Sequence, residues 1–180
     1  MTTSISLRRA VATALLCATI GGLAGAAPAE TRVDAKADWS VFKSDGGGRE
    51  CWIVSAPTGW KAMRGGDDVT SQVRRGDILL MVAVRPDDSV TNEISYTSGY
   101  PFRSESSVRV EIGDDAHELF TEGEWGWLSS PAEDNAMVED MKRGLTATLT
   151  AVSSRGTQTV DTFSLRGFTA ALDAARELCK

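Results

Sequence analysis

His117 is the single histidine of the 180-residue chain, so any Ser-His-Asp reading must take it as the base. Serines and acids are plentiful, but no G-x-S-x-G turn presents a serine as a nucleophile. The plainer use of His117, beside the apolar pair Leu119 and Phe120, is that of a strand histidine, exposed or hydrogen-bonded. Three acidic pairs, Asp67-Asp68, Asp87-Asp88 and Asp114-Asp115, fall at turn-like positions. Converging loops of that kind could offer oxygen ligands to calcium, yet none has EF-hand spacing. Asp also forms turns by bonding its own backbone, which explains all three without a metal. Two carboxylates at a defined separation would serve glycoside hydrolysis, a distance that residue order does not fix. The glycine clusters 46–48 and 65–66 neither open a helix nor carry the Lys-Ser/Thr of a phosphate loop.

Aromatic and cationic residues offer a different chemistry. Trp60 lies beside Lys61 and near Arg64, in a stretch from Pro57 to Asp68 that reads as a loop. There an indole could meet a partner or fill the core. Tyr100 and Phe102 flank Pro101 and present the same choice. Trp39, Trp52 and one of Trp125 and Trp127 are expected in the core. Arg64, Arg74, Arg75 and Arg85 could form a local basic patch. The residues assign no catalytic, cofactor-binding or metal position. The candidate binding surface is Trp60, Arg64, Tyr100 and Phe102.

The elements that must position these groups are short strands. Expected are Trp39–Phe42, Glu50–Ala56, the apolar run Asp77–Arg85, Asn92–Thr97, Ser107–Ile112, Ala116–Thr121, Glu124–Leu128 and Leu145–Val152. Ser107–Ile112 alternates cleanly, with Val108, Val110 and Ile112 inward. Pro131–Arg143 reads as a helix, with acids early, Lys142 and Arg143 late, and Gly144 as its stop. The final stretch, Ser153–Lys180, predicts a turn, a strand bent or bulged near Asp161, a break at Gly167 and an amphipathic helix. Strands follow strands with few helices between, which predicts an antiparallel sandwich.

Export is written into the first 29 residues. Arg8 and Arg9 precede an Ala- and Leu-rich run that ends in Ala27-Pro28-Ala29, the pattern of a cleaved signal peptide. Residues 30–38 are expected as a flexible leader and 39–180 as the domain. Cleavage before Glu30 takes the formal charge from −6 to about −8. So acidic a domain suits neither nucleic acid nor anionic lipid. Without the signal, no membrane span is expected. Cleavage also removes Cys17, leaving Cys51 and Cys179, which most simply form one disulfide in an oxidising compartment. A redox pair would want C-x-x-C spacing, which is absent.

Several blocks together resemble the invasion-associated locus B family of exported bacterial proteins. They are Cys51, Gly99-Tyr100-Pro101-Phe102, Met141-Lys142-Arg143-Gly144, Ser154-Arg155-Gly156-Thr157, Asp161-Thr162-Phe163-Ser164-Leu165, Gly167-Phe168, Ala171 and Cys179. The resemblance implies an immunoglobulin-like β-sandwich with a short middle helix and a C-terminal helix, exported to the periplasm or envelope and possessing no catalytic motif. It also connects the chain with virulence through the family's link to host-cell invasion. Two function classes follow. One is a non-enzymatic envelope or secreted protein, expected as a monomer, that binds a protein or envelope component. The other is a periplasmic hydrolase using His117 or loop carboxylates.

Overall fold

The computed structural model describes residues 30–46 and 48–180; the expected signal peptide, residues 1–29, lies outside the described residues. Twelve strands form in chain order: β1 (Glu30–Lys36), β2 (Trp39–Ser44), β3 (Cys51–Ser55), β4 (Gly59–Arg64), β5 (Asp67–Asp68), β6 (Leu79–Arg85), β7 (Val90–Thr97), β8 (Ser107–Ile112), β9 (Asp115–Glu122), β10 (Trp125–Trp127), β11 (Thr146–Val152) and β12 (Gln158–Ser164). Helix α1 spans Pro131–Arg143 between β10 and β11, and α2 spans Phe168–Leu178 after β12.

Among the described residues all strand pairs are antiparallel. They form one continuous sheet in the order β1-β2-β3-β6-β7-β10-β9-β8-β11-β12-β4-β5. Strands far apart in that order nevertheless touch. Tyr96 of β7 meets Phe163 of β12 edge-on with centroids 6.2 Å apart. The Trp39 indole N–H of β2 donates to the Ser164 carbonyl of β12 at 3.0 Å. The sheet is therefore folded over on itself, with Trp39, Ile53, Leu80, Ile94, Tyr96, Leu149 and Phe163 packed inside. The mainly antiparallel architecture with a middle and a C-terminal helix is as expected; its layers share one hydrogen-bonded sheet.

Both helices pack on the inner face. Helix α1 starts where Ser130 accepts the Glu133 backbone N–H at 3.3 Å, while the Glu133 carboxylate bonds the Ser129 N–H at 3.0 Å. This reciprocal cap satisfies donors that the helix itself leaves open. Met137, Val138 and Met141 face the core. Helix α2 buries Phe168, Ala171, Leu172 and Ala175, and its end is tied to β3 by the Cys51–Cys179 disulfide across a Cα separation of 6.0 Å. The expected pairing of the two cysteines is thus the observed one.

Four expectations are corrected. Residues 30–36 form β1, paired along β2 from Glu30↔Ser44 to Lys36↔Trp39. As an edge strand with both faces mostly exposed, β1 shows no apolar alternation, which is why it reads as a leader. The stretch from Pro57 to Asp68 is a hairpin of β4 and β5, and β4 is held by β12. Strand β12 carries no bulge: its pairing with β11 is unbroken from Gln158 to Ser164, so Thr159, Asp161 and Phe163 all point inward. Trp52, Trp125 and Trp127 leave the core for the outer face, because Cys51, Ile53 and Gly126 take the inward positions of their strands.

The turn between β1 and β2 is pinned at Gly167. This residue has φ +89°, and a Cβ there would lie 2.0 Å from the Lys36 carbonyl oxygen. The Asp38 N–H also donates to the Arg166 carbonyl at 3.3 Å, and the two side chains pair at 3.0 Å. Gly167→Ala is expected to cost at least about 1–2 kcal/mol, from left-handed strain plus displacement of that turn. The drop in urea midpoint measures it; an unchanged midpoint would show that the turn yields freely.

Candidate functional site: an arginine-lined cleft over a buried ion pair

Strand β4 presents Trp60, Ala62 and Arg64 on one face, by the period of two. Its register with β12 sets Trp60 opposite Asp161 and Ala62 opposite Thr159, so these residues share the inner face. Because β4 and β5 lie at the end of the strand order, this part of the face is open at one side. The segment following β5 closes it from above. A 3-10 turn at Thr70–Gln72 leads into extended backbone at Val73; Gln72, Val73 and Arg74 line the cleft, and Arg75 turns away to bond the Ser98 carbonyl.

Arg75 is the floor. Its side chain is 2% exposed, and Asp161 is fully buried. The guanidinium donates from both Nη atoms to the two Asp161 oxygens at 2.6 Å, and from Nε to the Ser98 carbonyl at 2.9 Å. The Tyr96 hydroxyl donates to the same carboxylate. The guanidinium carbon lies 5.1 Å from the Trp60 ring centre and 5.0 Å from that of Tyr100, a cation–π contact on each. Burial alone disfavours the Arg75 charge, but the bonds and charge of Asp161 more than offset it and raise its pKa. Burial, helped by the Asp161 charge and hydrogen bond, pushes the Tyr96 phenol far above its ordinary value, so it stays a donor. The Tyr100 hydroxyl bonds Thr159. The approach of the chain is set by Gly99, with φ +69°: a Cβ there would sit 2.6 Å from the Gly76 carbonyl oxygen. The Gly76 N–H donates to Gly99 O at 2.9 Å, holding Arg75 against Ser98.

Above this floor lies a cleft of about 520 Å³ whose lining includes Arg64, Arg74, Arg155, Tyr100, Ser154 and Glu124. Arg64 donates to the Thr157 hydroxyl at 2.9 and 2.7 Å. Among the described residues, Arg49, Arg75, Arg85, Arg109, Arg143, Arg166 and Arg176 all sit in ion pairs. The other described arginines, Arg32, Arg64, Arg74, Arg103 and Arg155, have no ion-pair partner, and three of these five, Arg64, Arg74 and Arg155, open onto this one cleft. On an acidic chain, that concentration makes a locally cationic concavity suited to carboxylate or phosphate groups.

The structure therefore gathers Trp60, Arg64 and Tyr100, but not as exposed loop residues. Trp60 is a half-buried strand residue over Arg75, and Tyr100 lines the cleft. Phe102 is buried under Tyr100, with centroids 5.6 Å apart, and supports it from the core. Of the expected basic patch, Arg64 and Arg74 meet, Arg75 is buried below them, and Arg85 lies on the outer face against Glu93 at 2.7 Å. Asp161, Tyr96 and Arg155 were missed. The signal for Asp161 was its shared parity with Phe163, which demands a buried acid and hence a cation.

His117 of β9 bonds Asp140 of α1 at 2.7 Å. The nearby Ser129 hydroxyl is committed to Glu133 at 2.6 Å, so the imidazole has an orienting acid and no bonded nucleophile. Among the described residues no three acidic, histidine or cysteine side chains gather around one point; Asp87 bonds Arg49 at 2.6 Å, and Asp68 accepts the Thr70 N–H at 2.9 Å.

A search against curated proteins gives no significant match. A crystal structure of invasion associated protein B from Bartonella henselae shares the fold, with a TM-score of 0.56 at 15% identity, covering 81% of this chain and 96% of that one. Among the described residues, no helix is long and apolar enough to cross a membrane. The family model for invasion associated locus B (IalB) protein matches residues 39–176, from the start of β2 to near the end of α2, and the chain belongs to that family.

Proposed function

We propose that this chain is an exported, non-enzymatic protein of the periplasm, envelope or outside medium that binds a partner protein through the arginine-lined cleft, and that this binding serves host-cell invasion or envelope interaction. The observation that carries the reading is the meeting of Arg64, Arg74 and Arg155, all without acidic partners, over a fixed Arg75–Asp161 floor. A preorganised cationic cleft spends little ordering free energy on binding and favours a partner that offers carboxylates or phosphates. The cysteine pairing and the signal-like leader support export.

The test is capture from envelope extract with the wild type and with Arg74→Glu/Arg155→Glu. Both positions are exposed, so the variant folds normally, and it is expected to lose the partner by at least about tenfold in affinity. His117→Ala is expected to retain it fully. Full retention by the double-Glu variant would remove the cleft from the function. Loss of biological activity in folded His117→Ala with partner capture intact would instead support the hydrolase reading, which the His117–Asp140 bond favours.

A further inference from the structure

The outer face of the sheet holds a second surface, away from the helices. Strand alternation turns Phe42 of β2, Trp52 of β3, Met81 and Ala83 of β6, Ser95 of β7 and Trp125 and Trp127 of β10 outward. Phe42 and Trp52 stack in parallel, with centroids 5.8 Å apart and planes 7° apart. Trp125 and Trp127 stack at 6.3 Å and 20°, and Phe120 extends that wall from β9 at 5.8 Å. Between Trp52 and the Trp125–Trp127 pair the sheet carries the thinner side chains of Met81, Ala83 and Ser95, leaving a groove of about 380 Å³.

Its rim is acidic. Glu30, Glu50 and Glu93 line the groove against one cation, Arg85. Arg85 is already shared among Glu93 at 2.7 Å, Glu50 at 3.6 Å and Asp88 at 3.7 Å. The groove thus combines tryptophan faces with surplus carboxylate, on a chain of net charge −6. The same groove of a second copy, laid face to face, would bring like charge to it. A guanidinium or ammonium group satisfies both features, because it stacks on an indole and donates to a carboxylate.

We infer that this groove binds an extended, Lys/Arg-bearing segment of a partner protein, whose cationic side chains lie on Trp52 and Trp125 and bond Glu50 and Glu93. The surface is distinct from the arginine cleft and selects the opposite charge.

Titration with a blocked tetra-arginine peptide, followed by tryptophan emission and calorimetry, tests it. Saturable binding that weakens with added salt is expected, with the affinity falling about tenfold in Trp125→Ala and in Glu50→Gln. Asp114→Asn, in a distant hairpin, is expected to leave it unchanged. Circular dichroism and the melting temperature establish that each variant is folded; Glu50→Gln serves should Trp125→Ala fail that check. Three results would overturn the inference: no saturable binding, binding indifferent to both groove variants, or stronger binding of the neutral oligosaccharide cellohexaose, which would mark a sugar-stacking platform.

Discussion

Arg75→Met is expected to lower unfolding free energy by roughly 3–5 kcal/mol, the usual result of stranding one partner of a buried ion pair. The reason lies at Asp161. Its carboxylate is fully buried and receives two guanidinium bonds at 2.6 Å plus the Tyr96 hydroxyl. Removing the guanidinium leaves a charge that one phenol cannot stabilise. The same change strips Trp60 and Tyr100 of the cation between them, so the cleft floor loosens along with the core. Arg75→Met/Asp161→Asn removes both charges and leaves Tyr96 an acceptor. It is expected to recover more than half of the loss, giving a coupling energy larger than about 1 kcal/mol in a double-mutant cycle. Urea unfolding of the four proteins provides the numbers. A single-variant loss under about 1 kcal/mol would mean that water enters and solvates Asp161.

How far the sequence discloses this molecule depends on which face a residue occupies. Ser107–Ile112 is readable to the residue because Val108, Val110 and Ile112 alternate with charges, and one face alone is buried. Helix Pro131–Arg143 is readable from its ends: acids in the first turn, Lys142 and Arg143 in the last, matched to the dipole, and a glycine stop. Strands β1 and β4 are not readable, because each lies at or near an open end of the sheet and lacks a continuous apolar face. Tryptophan misleads for a related reason. Its apolar mass argues for the core, yet Trp52 alternates with Cys51 and Ile53, and the parity of β3 sends it outward. Near the cleft, Arg64 and Tyr100, which line it, and Trp60, which packs on Arg75 behind it, could be named from their local sequence. Their floor could not: Arg75 and Asp161 are 86 residues apart, and no local pattern states that they meet.

Cys179→Ser is expected to lower the melting temperature by roughly 10–20 °C. The disulfide closes a loop with a sequence separation of 128, the kind of long loop whose closure restricts the unfolded chain most. Chain-entropy accounting gives about 5 kcal/mol for it, and a domain of this size loses about 2–4 °C per kcal/mol. The native consequences are local. Helix α2 has 11 residues and would be marginal alone. Its first turn is held independently, since Phe168 is buried and meets Trp39 edge-on with centroids 5.0 Å apart. Its last turn has less: Arg176 reaches Asn92 at 2.6 Å, and Leu178 is 38% exposed. Loss of the bridge should therefore fray α2 from its C-terminal end while the sheet persists, and trypsin should cut first at Arg176. Intact mass before and after reduction and alkylation fixes the thiol count, and limited proteolysis with a melting curve reads the two effects separately. Two alkylatable thiols in unreduced wild-type protein would show that the bridge does not form in the cell. A variant that melts within about 2 °C of wild type would place the stability of α2 in its apolar stripe alone, with the unfolded chain compact enough to make loop closure nearly free.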